Sequence, residues 1–232
     1  MRLNKRFDYP KSKSSTISGL RMYDINGTNL PSVTTILKAT ESEQKKESIK
    51  KWRNKIGSEA ADKILRDSSS RGSKMHKHLE EYLIGQSKID FESDETFAMS
   101  QKIIDESLNK KLNEVWGSEV NVYFPDSYAG TADACGVYNN KESILDFKQS
   151  NKPKKREWIT DYFLQVAAYS LAHNHIYETN ISQGVILVCT PPPQLEFQEF
   201  VIEAEELKDY QNLFKNKVRE YHQIRDHEIQ TS

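Results

Sequence analysis

The stretch from residue 128 to residue 169, YAGTADACGVYNNKESILDFKQSNKPKKREWITDYFLQVAAY, decides the fold. It predicts a strand carrying Asp133, a tight turn at Asn139-Asn140, and a second strand carrying Asp146 and Lys148. A basic loop and a helix bearing Gln165 and Tyr169 complete it. Side chains alternate along a strand, so Ile144, Asp146 and Lys148 share one face while Leu145 and Phe147 share the other. A carboxylate and an ammonium side by side on a mostly apolar strand are costly to bury without partners. The hairpin delivers Asp133 to the same neighbourhood. Two carboxylates and a lysine on rigid elements suit a hard divalent cation with a charged helper beside it.

Upstream, Asn26-Gly27 marks a short hairpin, and Pro31 and Ser32 open a helix that Ser32 or Thr34 can cap. Residues 41–66 read as a helix with Lys45, Lys46, Lys50, Lys51, Arg53 and Lys55 around Trp52. Because Glu41, Glu43 and Glu47 are interspersed, a solvated charged face is the first reading, and a basic wall beside a nucleic-acid groove the second. Ser68-Ser69-Ser70-Arg71-Gly72 predicts a break, followed by a helix that stops at Gly85. On that helix His76 and Glu80 are four apart, so both can face one metal ion, and Glu81 lies one residue round. Residues 86–94 read as a polar loop and 95–114 as an amphipathic scaffold helix.

The sheet is expected from SEVNVYFP, GTADACGVY and ESILDFK, with SQGVILVCT and LEFQEFVIE as a later pair around Pro191-Pro192-Pro193. A helix over 156–174 separates the two groups, and a last helix from about Ala204 to Asp226 packs its apolar side on the sheet. The result is one α/β domain of 232 residues: a basic arm over 1–20, read as mobile, a helical part over 30–114, and a sheet core with C-terminal helices over 118–232. The arm is only faintly like a transit peptide, since no apolar signal core follows it.

Charged residues make up 29% and no apolar run approaches the roughly 18–20 residues that span a bilayer, so no membrane role is expected. A formal net charge of −1 means that nucleic-acid binding has to come from local patches. Cys135 and Cys189 read as reduced core thiols of a cytoplasmic-type, intracellular protein, which leaves mitochondrial or phage-infected compartments open. Two cysteines are too few for a cubane iron–sulfur cluster, which takes about four thiolates, so none is expected.

Asp133 in GTAD, Asp146-Phe147-Lys148 and Gln165-Val-Ala-Ala-Tyr169, in that order, resemble the PD-(D/E)XK nuclease superfamily and its RecB-like exonuclease branch. The upstream helical histidine of that branch corresponds to His76 in RGSKMHKHLE. The front of the chain, LPSVTTIL and RGSKMHKHLEEYL around a tryptophan helix, is similar to the mitochondrial genome maintenance exonucleases and their phage counterparts. The resemblance runs from about Leu30 to Tyr169 and implies a restriction-endonuclease-like fold, a central mixed sheet flanked by helices. It implies that Asp133, Asp146 and the Phe147 main-chain carbonyl hold Mg²⁺ or Mn²⁺, with His76 or Glu80 completing the shell. Lys148 then orients the attacking water, and Gln165 and Tyr169 position Lys148 or a phosphate. Two departures stand out: Ala132 replaces the proline that often precedes the first acid, and Gln149 replaces the threonine that often follows the lysine.

Beside that site, Lys152, Lys154, Lys155 and Arg156 are expected to contact the DNA backbone, with Trp158 and Tyr162 offering faces for unpaired bases. Arg71 and the hydroxyls of Ser32, Thr34 and Thr35 are further phosphate candidates. The tripeptide His173-Asn174-His175 is a chance spelling of a dispersed nuclease motif. The expected activity is metal-dependent exonucleolytic hydrolysis of DNA, preferring single strands or frayed ends. An endonuclease or repair-complex subunit of the same fold, and a silent nucleic-acid binder, are the alternatives.

Overall fold

The structure is a computed structural model that describes residues 3–86 and 94–230. Its centre is a five-stranded mixed sheet in the order β4-β5-β6-β7-β8, formed by Leu112–Phe124, Tyr128–Tyr138, Lys141–Gln149, Gln183–Cys189 and Phe197–Glu203. β6 and β7 run parallel, joined by the crossover helix α6 (Thr160–Tyr177), and the other neighbours are antiparallel. β7 is buried at every residue, as an interior strand covered on both faces should be. This is the helix-flanked mixed sheet that the resemblance implies.

Asn139 and Asn140 both have positive φ, 49° and 61°, the backbone that a two-residue hairpin turn between twisted strands requires. They set the register that pairs Cys135 with Ile144 and Ala134 with Leu145. The alternation along β6 holds as expected. Ile144 enters the core under α1 (Val33–Ala39), α6 and α7 (Ala204–Gln230), whereas Leu145 and Phe147 enter the core under α3 (Ser58–Leu83) and α4 (Glu95–Ile103).

Two boundaries differ from the sequence reading. Ser68–Gly72 does not break a helix: α3 runs through it, and the break falls at Gly57 (φ 86°), between α2 (Glu43–Ile56) and α3. A Cβ on Gly72 would meet the Gln149 side chain at 3.6 Å, an ordinary contact, so nothing at this position opposes the helix. Met75, Leu79 and Leu83 fix the helix through one buried stripe. The scaffold helix expected over 95–114 gives way to a π turn at Ile104–Leu108 and a short turn, α5 (Asn109–Lys111), because Leu112 already belongs to β4. The polar loop expected over 86–94 falls almost entirely on 87–93, outside the described residues.

The front of the chain forms a separate antiparallel sheet, β1 (Ser14–Ile17), β2 (Leu20–Ile25) and β3 (Thr28–Pro31), with its second turn at the expected Asn26-Gly27. The arm read as mobile lies against the fold. Leu3 bridges to Val115, and Phe7 and Tyr9 pack on Trp116, His173 and Tyr177. Lysines of α2 pair with Glu41, Glu43 and Glu47, and the helix buries no residue, as a solvated charged face should. Among the described residues no helix is long and apolar enough to cross a membrane.

Candidate active site

The paired run of β5 and β6 reaches Ala134–Leu145. Two residues further along β6, the Phe147 N–H is taken by the Asp133 carboxylate, 2.6 Å from Oδ2. The first acid therefore stands where β5 leaves β6, at the mouth of a cavity of about 550 Å³. β5 contributes Gly130, Thr131 and Asp133 to the lining, and β6 contributes Lys148. His76, Lys77 and Glu80 come from α3, Gln165 and Tyr169 from α6, and Arg21, Tyr23, Ser32 and Thr34 from the front of the chain.

On the acidic side, His76 Nδ1 lies 3.4 Å from Asp133 Oδ1 and 3.5 Å from Glu119 Oε1. One ligand atom from each of the three lies within 4.8 Å of the others. His76 Nε2 sits 2.7 Å from the Phe147 carbonyl and donates to it, which orients the ring as a second-shell carbonyl does for a metal-bound imidazole. Burial alone would lower the His76 pKa, but the Asp133 and Glu119 carboxylates reverse that and raise it to about 10. Asp133, although buried, is held below its ordinary range by His76 and then by Lys148.

Asp146 is fully buried, and burial pushes its pKa up to about 6 against the pull of Lys148. Lys148 Nζ lies 2.5 Å from Asp146 Oδ2 as an ion pair. Apart from that ion pair, neither buried oxygen of Asp146 has a hydrogen-bond partner among the described residues. The acceptor positions that Lys148 does not reach are ones that a hard cation would satisfy. The oxygen-rich donor set with one imidazole suits a divalent ion of the Mg²⁺ or Mn²⁺ class. Lys148 also stands 5.3 Å from the Tyr162 ring centroid, a second constraint on its ammonium. Gln165 Nε2 donates to the Tyr169 hydroxyl at 3.1 Å, so the pair acts as one unit in the wall.

Sequence reasoning, which offered His76 or Glu80 to complete the shell, missed Glu119, which stands with His76 and Asp133 in the structure. Glu80 lines the same cavity outside the trio, its pKa raised by burial and then by Glu119 and Glu81. The register held the signal: Ser118 pairs with Ala134 and Val120 with Ala132, which sets Glu119 opposite Asp133. Two carboxylates facing each other across a ladder are unfavourable unless a cation lies between them. The Phe147 carbonyl, expected as a metal ligand, faces His76 in this structure.

The phosphate candidates separate. Ser32 caps α1 and lines the cavity with exposed Thr34, but Thr35 is buried and gives its proton to the Arg21 carbonyl. Arg71 is committed to Glu95, Gln149 and Asn151, strapping α3 to α4 and to the end of β6. Arg156 is engaged by Glu206 and the Val201 carbonyl. Lys152, Lys154, Lys155 and Trp158 do not line the cavity. The backbone of Lys154 is bonded to Gln198, while Trp158, 63% exposed, stacks under Lys155. His173 is buried with Tyr9 and Thr179 as partners, so the HNH spelling is indeed incidental.

No family model matches the chain. Human mitochondrial genome maintenance exonuclease 1 is 30% identical to it over 170 residues, 68% of this chain and 48% of that protein. The Xenopus tropicalis protein of the same name is 28% identical over 183 residues, 72% of this chain and 50% of its own length. A putative exonuclease from Eubacterium rectale is similar in structure with a TM-score of 0.47 and 13% identity, covering 68% of each chain. The chain spans about half the length of the curated relatives it matches. By sequence similarity and by the order of the elements that carry its site, the chain is a PD-(D/E)XK-like relative of the mitochondrial genome maintenance exonucleases.

Proposed function

We propose that this protein is a metal-dependent nuclease that hydrolyses DNA phosphodiester bonds as an exonuclease, with single strands or frayed ends as substrate. The observation that carries the reading is the meeting of Asp133, Lys148, His76, Gln165 and Tyr169, from four different elements, around one cavity, with buried Asp146 paired to Lys148. His76, Glu119 and Asp133 would hold a divalent ion, with Asp146 turned toward Lys148 beside them. A bound Mg²⁺ or Mn²⁺ supplies charge neutralisation at the phosphate and a more acidic water. Asp133 anchors the β6 backbone through Phe147, so the carboxylate and the lysine keep a fixed spacing. Lys148 stays charged, because Asp146 and Asp133 outweigh the cost of burying it. Its ammonium can donate to the attacking water and to the phosphoryl oxygen on which charge grows. Glu80 and Glu119 repel a bare polyanion, so a cation is needed for substrate binding as well as for rate.

Linear and circular single-stranded DNA, incubated with and without Mg²⁺, test the reading. Digestion of linear DNA alone, lost by at least about a thousandfold in Asp146→Asn and in Lys148→Met, is the expected outcome. Cutting of circles makes the protein an endonuclease, and digestion retained by Asp146→Asn would falsify the site.

A further inference from the structure

We propose that Arg21 is a phosphate-positioning residue, gripping a backbone phosphate of the substrate next to the one that reacts. This rests on the nuclease reading above. Arg21 lines the cavity, and among the described residues no carboxylate lies within ion-pair reach of it. Its guanidinium carbon is 5.4 Å from the Tyr23 ring centroid. That ring is buried and its hydroxyl is bonded to Thr131, another residue of the lining. The Arg21 carbonyl accepts from the Ser32 N–H at 2.9 Å and from Thr35 Oγ1 at 3.0 Å. Backbone and side chain are thus both braced, while the guanidinium donors have no ion-pair partner among the described residues.

The arginines that the sequence put forward for DNA are otherwise occupied: Arg71 by Glu95 and Arg156 by Glu206. Inside the cavity Lys148 is committed to Asp146, while Lys77, without an ion pair among the described residues, has Glu80 as an electrostatic neighbour. A polyanion entering a cavity with this acidic side needs an uncommitted cation on the wall, and Arg21, unlike Lys77, offers one away from Glu80 and on an aromatic platform. A planar guanidinium on an aromatic platform matches the paired oxygens of a phosphodiester without reading the base.

The experiment measures affinity for a labelled oligothymidylate against salt concentration, in the Asp146→Asn background so that the probe survives, with thermal melts confirming the fold of each variant. Arg21→Gln is expected to weaken binding about tenfold and to flatten the log–log salt slope by about 0.7, the share of one phosphate contact on a single strand. Arg21→Lys keeps the slope and loses part of the affinity. Replacing single linkages by uncharged methylphosphonate weakens binding by the arginine protein at one position, and Arg21→Gln is indifferent to that replacement. Equal slopes for arginine and glutamine, or a glutamine penalty undiminished at every neutralised linkage, overturn the inference. If the unmodified protein digests DNA in Mg²⁺ while those slopes coincide, the inference alone fails. If it neither binds nor digests DNA, the nuclease reading fails and this falls with it.

Discussion

Glu119 carries a positive φ of 50°, an uncommon backbone for a residue with a long side chain, and faces Asp133 across the β4–β5 ladder. Local strain and like-charge repulsion at one residue are tolerated when the position is held for a ligand. The trio of His76, Glu119 and Asp133 therefore predicts the order of loss in a Mn²⁺ titration by calorimetry. Glu119→Ala weakens binding by tenfold or more, as removal of a coordinating group should, while Glu80→Ala changes it by less than about threefold. The reverse order assigns the shell to Glu80 and removes Glu119 from it. Asp133, Asp146 and Lys148 were legible in the sequence because polar residues interrupt runs that are otherwise apolar. Glu119 was not, because SEVNVYFP alternates as an ordinary half-exposed strand should. Its partner becomes visible only once the register is known.

At the scale of elements, the site depends on how closely strands and helices approach. A Cβ on Gly136 would lie 2.1 Å from the Glu114 carbonyl oxygen, where β4 is irregular in its pairing with β5. Backbone cannot yield as a flexible side chain can, so Gly136→Ala is expected to lower stability by about 3 kcal/mol or more in urea melts. Gly130 faces the Tyr169 ring, whose Cε1 would be 2.5 Å from an added Cβ. Gly130→Ala therefore pushes Tyr169 and its partner Gln165 out of the cavity wall, with activity reduced more than stability. A Gly130→Ala protein with unchanged turnover would show that this helix pair is scaffold only. The hairpins were readable because Asn139-Asn140 and Asn26-Gly27 name their turns chemically. The continuity of α3 was not, since Ser68–Gly72 reads locally as a breaker. Its helical state comes from contacts with β6 and α4, through Arg71, that lie far away in the chain.

Over the whole molecule, the N-terminal segment is fastened to α6 and β4 through His173 and Trp116. The Tyr9 hydroxyl is 2.9 Å from His173 Nε2, Thr179 Oγ1 is 2.8 Å from Nδ1, and Phe7, Trp116 and Tyr177 surround the ring. Nothing in residues 1–20 signals this docking, because the aromatic pair Phe7 and Tyr9 is scattered among lysines, arginines and serines. Burial pushes the His173 pKa down to about 4, from an unfolded value near 6.5. The unfolded chain therefore binds a proton that the native ring refuses between those two values. The stability this neutral histidine contributes is present above about pH 6.5 and lost as pH falls through about 4. The sign is opposite for His76, whose raised pKa gives stability that is complete below about 6.5 and lost as pH rises toward 10. A variant separates the two. Urea melts should place the native protein roughly 1–2 kcal/mol lower at pH 5 than at pH 7 from His173 alone. His173→Gln, less stable at neutral pH, should lack that part of the slope, and limited proteolysis near Lys11 and Lys13 should accelerate in the unmodified protein over the same window. If both proteins keep the same pH dependence, His173 is not what fastens the segment, and its aromatic neighbours hold it without help from the imidazole.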